Sequence, residues 1–121
     1  MSTREGSQPA KPAITVLSAL SGAVENHVLA GIEEEGVPAV VERPSEPRDA
    51  EVLATDAAQR SSLGVGVGID TLGRVCIQHE KLRQPLPCLS FDGKANLACA
   101  RIAGHNAARI VVGIPLRLSD A

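Results

Sequence analysis

Ala30-Gly-Ile-Glu-Glu-Glu-Gly-Val-Pro38 is the stretch from which the organisation of this chain can be worked out. It is typical of the last turns of a helix, a stop at Gly36 in the left-handed region, and the start of a strand. Glu33, Glu34 and Glu35 then lie at the C-terminal end of the helix, where the helix dipole favours cations. Because this acidic cluster is placed against that preference, it indicates that one carboxylate faces a partner.

The helix that leads into this stretch is predicted to cover residues 23–35. Its apolar residues recur at i, i+4 and i+8 and define a buried stripe, formed by Val24, Val28 and Ile32. At about 100° per residue, Glu34 points roughly 140° away from that stripe. We predict that this outer face binds a partner. Besides Glu34, it consists of small or polar residues: Ala23, His27, Ala30 and Glu33. Glu35, like Glu33, is expected to be solvated.

The remaining elements are predicted from periodicity, glycine and proline. Residues 1–12 read as a disordered tail, and a single α/β domain follows over residues 13–118. Strands are predicted near residues 12–19, 38–44, 63–70, 74–79 and 110–116, and further helices near residues 49–59 and 92–108. Ser21 and Asp49 are candidate N-caps. The order βαβαββαβ predicts a three-layer α/β/α sandwich whose mixed five-stranded sheet contains one antiparallel strand.

The glycine-rich stretch Leu63-Gly-Val-Gly-Val-Gly-Ile-Asp70 could be mistaken for a dinucleotide-binding loop. That fingerprint needs a strand before its glycines and a helix after them. Here Gly64, Gly66 and Gly68 alternate with valine inside the strand. We therefore predict that they allow a helix to approach the sheet closely, and that Asp70 forms the turn of a hairpin.

Composition excludes several classes of protein. The chain has 121 residues, one aromatic residue, Phe91, and a net charge of −2, which argues against a nucleic-acid binder. No apolar run approaches the roughly 20 residues of a membrane span, and no apolar signal segment begins the chain. We expect a cytoplasmic protein whose three cysteines are reduced. A zinc site at Cys76, His79 and Cys88 is conceivable, but the spacing matches no known pattern.

Four stretches together resemble the dehydratase medium-subunit family, over roughly residues 14–116. They are residues 30–38, Gly66-Val-Gly-Ile-Asp-Thr-Leu-Gly73, Ile77-Gln-His79 with Leu82, and Arg101-Ile-Ala-Gly-His-Asn-Ala-Ala-Arg109. The family contains the medium subunits of adenosylcobalamin-dependent diol and glycerol dehydratases. It also contains the small subunits of the ATP-dependent factors that reactivate those enzymes. The resemblance implies an anticodon-binding-domain-like fold.

The short ends of the chain favour the reactivase branch, because medium subunits of the enzyme carry long additions. The resemblance then implies a non-catalytic subunit in a hetero-oligomer with a large actin-like ATPase subunit, which alone binds ATP or ADP. It also implies that Glu34 reaches a Mg²⁺ ion held mainly by that subunit, and a carboxylate oxygen suits this ion. The dehydratase large subunit would be the second partner.

Two alternatives remain open at this point. The chain could be a short medium subunit of the dehydratase itself, which would bind cobalamin together with the large barrel subunit. It could also be a free-standing α/β binding module. No Ser-His-Asp, Cys-His or paired-carboxylate arrangement for acid-base chemistry is recognisable in the sequence.

Overall fold

The structure is a computed structural model, and it describes residues 12–81 and 96–113. The elements in chain order are β1 (Ile14–Ser18), α1 (Ala23–Glu34), β2 (Ala39–Glu42), α2 (Ala50–Arg60), β3 (Val65–Ile69), β4 (Val75–His79) and α3 (Leu97–Val112). The strands form one sheet in the order β2-β1-β3-β4. β1 is parallel to β2 and β3, whereas β3 and β4 form an antiparallel hairpin. The predicted mixed sheet and its hairpin are confirmed.

Strand alternation divides the core between the two faces of the sheet. On one face, Val16 and Val67 pack with Val28 of α1 and with buried alanines of α3. On the other face, Leu17 packs against Leu53 of α2. The helices α1 and α3 thus share one side of the sheet, and α2 covers the other.

The glycines of β3 lie where α2 meets the sheet. A Cβ atom on Gly66 would stand 2.1 Å from the backbone nitrogen of Ala58, and one on Gly68 would stand 2.2 Å from the carbonyl oxygen of Ala50. Neither position has room for a side chain, because the atoms in the way belong to the helix backbone. The prediction that these glycines allow close approach of a helix is confirmed.

The predicted fifth strand is wrong, because residues 110–112 are the last turn of α3. Asn96 caps that helix, since its Oδ1 accepts hydrogen bonds from the backbone nitrogens of Ala98 at 3.0 Å and Cys99 at 3.3 Å. Gly113 ends the helix with φ 77°. The described residues therefore form four strands. The sequence also predicts a loop over residues 80–92, of which residues 82–92 lie outside the described residues. The start of the last helix before residue 96 and all but the last residue of the predicted tail lie outside them as well.

Smaller predictions also need correction. The N-cap of α1 is Gly22 and not Ser21, and Asp49 is the N-cap of α2 but makes no side-chain capping hydrogen bond. Cys76 is disulfide-bonded, whereas Cys99 is a buried cysteine near the start of α3. The expectation of three reduced cysteines is therefore wrong, since the pairing of cysteines is set by the fold and cannot be read from their spacing alone.

Candidate partner-binding face

The helices α1 and α3 cross in direct backbone contact. A Cβ atom on Gly31 would stand 2.2 Å from the carbonyl oxygen of Arg101, and one on Gly104 would stand 2.1 Å from the carbonyl oxygen of Val28. Each helix thus supplies a glycine at the point where the other helix passes. This approach brings the acidic end of α1 within reach of the polar side chains of α3.

Those side chains form a charge cluster that consists of Glu34, Glu35, Arg101, His105 and Arg109. Glu34 accepts a hydrogen bond from Arg101 Nη1 at 2.7 Å through Oε2, and its Oε1 lies 2.9 Å from His105 Nε2. Glu35 Oε2 lies 2.6 Å from His105 Nδ1 and accepts from Arg109 Nε at 3.0 Å. Each of these two carboxylates at the C-terminal end of α1 is therefore paired with an arginine side chain of α3.

Two histidines contact the charged side chains of this region. Ionised carboxylates only accept hydrogen bonds, so both contacts of His105 are hydrogen bonds when both of its ring nitrogens carry a proton. His27 Nδ1 lies 3.2 Å from Arg101 Nη2, which only donates. That contact is a hydrogen bond when His27 accepts through Nδ1. Together these contacts form a continuous row of polar side chains across the two helices.

The two carboxylates of the cluster differ in exposure. The Glu35 side chain is 13% exposed, and hydrogen bonds from His105 and then Arg109 lower the pKa of its carboxyl. The Glu34 side chain is 47% exposed. Glu35 thus joins α1 to α3, whereas Glu34 lies at the outer rim of the contact. The prediction of a solvated Glu35 is wrong, because α3 covers it.

The residues of the predicted partner face do lie on the outer side of α1. Ala23 and Glu33 are exposed, while His27 and Ala30 are half-buried. Glu34 is exposed as predicted, but it also has partners within its own chain, since Arg101 and His105 both contact it. Its role as a metal ligand stays a prediction.

Sequence reasoning missed the half of the charge cluster that α3 supplies. Arg101, His105 and Arg109 recur at i, i+4 and i+8, and this spacing is the signal that predicts a basic stripe along one helix. The spacing in the sequence predicts an inward face of α3 formed by Leu97, Ala98 and Ile102, with His105 as a further candidate. Leu97 and Ala98 are exposed instead, and the Leu97 exposure is 38%. The buried face is built instead from small residues: Cys99, Ala100, Ala103, Gly104, Ala107 and Ala108.

Polar groups at the carboxyl edge of the parallel strands are already paired. Arg43 forms a two-pronged contact with the buried Glu25, and its Nη1 donates to the carbonyl oxygen of Ser18 at 3.1 Å. The hydrogen bond from Arg43 lowers the pKa of Glu25. Asp70 Oδ1 accepts from the backbone nitrogens of Leu72 and Arg74, both at 2.9 Å, which confirms its predicted role in the turn. This edge therefore serves to hold the strands and loops together.

Two negative findings apply to residues 12–81 and 96–113. Within these ranges, no group of three or more His, Cys, Asp or Glu side chains could hold a metal ion. None of the helices in the same ranges combines the length and apolar character that a membrane crossing requires. Any cation that Glu34 binds would need most of its ligands from another molecule.

Comparison with known sequences gives a consistent result. A family model described as the dehydratase medium subunit matches residues 11–117. The chain is 36% identical to the propanediol dehydratase-reactivating factor small subunit of Citrobacter freundii, across 88% of this chain and 90% of that protein. It is 35% identical to the diol dehydratase-reactivating factor small subunit of Klebsiella michiganensis, across 87% of this chain and 82% of that protein.

Solved structures agree with the sequence comparisons. A glycerol dehydratase reactivase chain superposes with a TM-score of 0.80 at 27% identity, covering 89% of this chain and 98% of that chain. A chain of diol dehydratase-reactivating factor complexed with ADP and Mg²⁺ gives a TM-score of 0.74 at 33% identity, covering 89% and 99%. The similarity in both structures extends over nearly the whole length of the matched chain.

Proposed function

Because this chain belongs to the dehydratase medium-subunit family, we propose that it is the small, non-catalytic subunit of a factor that reactivates diol or glycerol dehydratase. The observation that carries the proposal is the extent of the match, which covers 90% of one reactivating-factor small subunit and 98% of a solved reactivase chain. None of these relatives favours the alternative of a dehydratase medium subunit.

The proposal includes the finer description of the fold. The domain would extend over residues 13–118 and would be a three-layer α/β/α sandwich of the anticodon-binding-domain type. Its support is the division of the helices, with α1 and α3 on one face of the sheet and α2 on the other.

The partner that binds nucleotide would be a large actin-like ATPase subunit. A solved relative is described as complexed with ADP and Mg²⁺, which supports a nucleotide and a metal in the assembled factor. In this chain, Gly66 and Gly68 lie inside β3 against α2, so they are not available as a phosphate-binding loop. ATP or ADP would therefore be bound by the partner alone.

Reactivation would proceed by exchange of subunits. In one nucleotide state this chain would pair with the ATPase subunit through the predicted partner face, and in the other state it would leave. The released face of this chain would then pair with the dehydratase large subunit, because this domain resembles the enzyme's own medium subunit. The loosened enzyme would release damaged cobalamin that lacks its adenosyl group. The factor would act in the cytoplasm, with a bacterial microcompartment as an alternative location.

The proposed Mg²⁺ ion would be shared between the subunits, with Glu34 as the ligand from this chain. Each oxygen of the Glu34 carboxylate accepts one contact in the structure, from Arg101 or His105, and retains a further lone pair. Its exposed fraction of 47% leaves it accessible from outside. The residues present thus fit a single hard oxygen ligand, and the bound ion would link the two subunits electrostatically.

The proposal is tested by reactivation of a dehydratase whose cobalamin has been damaged. The chain is purified with and without the large subunit and added with ATP and Mg²⁺ to the inactivated enzyme. We expect activity to return only when both subunits are present. The proposal is contradicted if this chain, mixed with the dehydratase large barrel subunit, binds cyanocobalamin saturably and supports turnover of a diol.

A further inference from the structure

We infer that Arg101 is a positioning residue, which holds the Glu34 carboxylate in the orientation that the partner's cation meets. This inference rests on the proposed function, because it takes Glu34 as the ligand that this chain contributes. It adds a residue of α3 to a site that the sequence placed on α1 alone.

The guanidinium of Arg101 is held at two points. Its Nη1 donates to Glu34 Oε2 at 2.7 Å, and its Nη2 lies 3.2 Å from His27 Nδ1. Its Nε is buried with no hydrogen-bond partner among the described residues, so the two Nη groups supply its polar contacts. The planar fork of arginine reaches both acceptors at once, which a lysine ammonium on its flexible stem does less well.

The backbone that carries Arg101 is fixed as well. A Cβ atom added to Gly31 would lie 2.2 Å from the carbonyl oxygen of Arg101, so the backbones of α1 and α3 are in direct contact at this point. The two helices cannot come closer without a clash, and they cannot separate without losing this contact. The Arg101 side chain is 33% exposed against 47% for Glu34. The Arg101 side chain is thus less exposed than the Glu34 side chain that it contacts, and nearly half of the Glu34 side chain remains accessible to a partner.

Two opposite effects of Arg101 on a bound dication can be separated. Its positive charge repels the cation, whereas its hydrogen bond removes the freedom of the Glu34 side chain. Hydrogen bonds to a ligating carboxylate generally contribute about 10- to 100-fold to metal affinity. Since Arg101 hydrogen-bonds one carboxylate oxygen, Oε2, and the Glu34 side chain stays 47% exposed, we expect orientation to outweigh repulsion.

The test measures association of the small subunit with the large ATPase subunit, in the presence of ADP, with either saturating Mg²⁺ or EDTA. Arg101→Met should weaken the association in Mg²⁺ by about tenfold or more and leave the association in EDTA unchanged. Arg101→Lys should recover part of the loss. The matched control is Arg109→Met, which removes an arginine of the same helix that contacts Glu35 and should leave the Mg²⁺-dependent part intact.

Several results would overturn the inference. One is that Arg101→Met associates in Mg²⁺ as tightly as the wild type, or more tightly. Another is that Arg101→Met loses the same amount of affinity in EDTA as in Mg²⁺, which would mean that Arg101 contacts the partner directly or has only a structural role. Melting temperatures of all variants identify a folding defect, and in that case Arg101→Lys carries the comparison. Glu34→Gln separates the two levels of the argument. If Glu34→Gln has no effect in Mg²⁺, the proposed metal role itself fails; if it has an effect and Arg101→Met has none, only the positioning role fails.

Discussion

On the α2 side of the sheet, glycines of β3 meet the alanines of a helix, whereas on the opposite side glycines of α1 and α3 meet each other. Both contacts depend on the absence of a Cβ atom. They differ in what surrounds them, because Leu17 and Leu53 continue the first contact as apolar core and the charge cluster continues the second. Close packing therefore stabilises both faces, and on the α1–α3 side it is continued by a charge cluster whose Glu34 side chain is 47% exposed.

The largest expected effect is produced by adding one methyl group at either glycine contact. Gly66→Ala and Gly104→Ala should each lower the free energy of unfolding by about 3 kcal/mol or more, because the new Cβ atom would meet helix backbone at 2.1 Å. Urea denaturation followed by circular dichroism measures the loss. Gly36→Ala is the control, since its φ of +81° adds conformational strain of about 1 kcal/mol but no atom lies within 4 Å. Equal losses at Gly36 and Gly66 would contradict the steric explanation.

A cavity on the α2 side should reduce stability and leave docking intact. Leu53 is fully buried, so Leu53→Ala should cost about 3 kcal/mol in the same denaturation experiment. Its neighbour Val52 is 46% exposed, and Val52→Ala should change the free energy by less than about 0.5 kcal/mol. Association with the ATPase subunit at low temperature should be unchanged in both. A loss of association in Leu53→Ala while it remains folded would mean that the two sides are not independent.

Acid should lower the free energy of unfolding by weakening the contact between α1 and α3 at Glu35. Hydrogen bonds from His105 and Arg109 hold the pKa of Glu35 below its unfolded value, so the stabilisation is fully present above the unfolded pKa of about 4.5 and is lost as pH falls through the folded pKa. Glu35→Gln should therefore make unfolding less dependent on pH over the acidic range. Leu53→Ala should lower stability by the same amount at each pH. Parallel pH profiles for wild type and Glu35→Gln would refute this assignment.

The smallest effect on folding is expected at Glu34. Its ion pairs are half exposed, so Glu34→Ala should change the free energy of unfolding by less than about 1 kcal/mol. The same substitution should weaken Mg²⁺-dependent association with the ATPase subunit. Thermal melting checks the expected stability and a binding titration checks the expected loss of association, both measured on one preparation of the variant. A large drop in melting temperature would show that Glu34 acts mainly within its own domain.

The sequence was sufficient where local pattern and packing agree. The apolar stripe of α1, the left-handed Gly36, the glycines of β3 and the hairpin turn at Asp70 were all predicted from spacing and turn chemistry. It failed at Ile110-Val-Val112, because β-branched residues favour a strand, whereas Ile110 and Val111 pack against the core as the last turn of α3, which ends at Val112.

The same limitation applies to the candidate site. Periodicity placed Glu34 outward on α1 but gave no information on which element lies beside it. The pairing with Arg101 and His105 depends on two helices separated by more than 60 residues and on the close crossing at Gly31 and Gly104. The basic stripe of α3 was visible in the sequence, whereas its opposition to the acidic end of α1 required the fold.

The reciprocal glycines have a mechanical consequence. No layer of side chains lies between the backbones at Gly31 and Gly104, so nothing soft can absorb a displacement of one helix relative to the other. A pull on the Glu34 carboxylate during release from the proposed partner subunit would be transmitted directly to α3, because Arg101 and His105 of α3 contact that carboxylate. We therefore expect the two helices to shift together as one stiff body, with the sheet behind them, and not to peel apart.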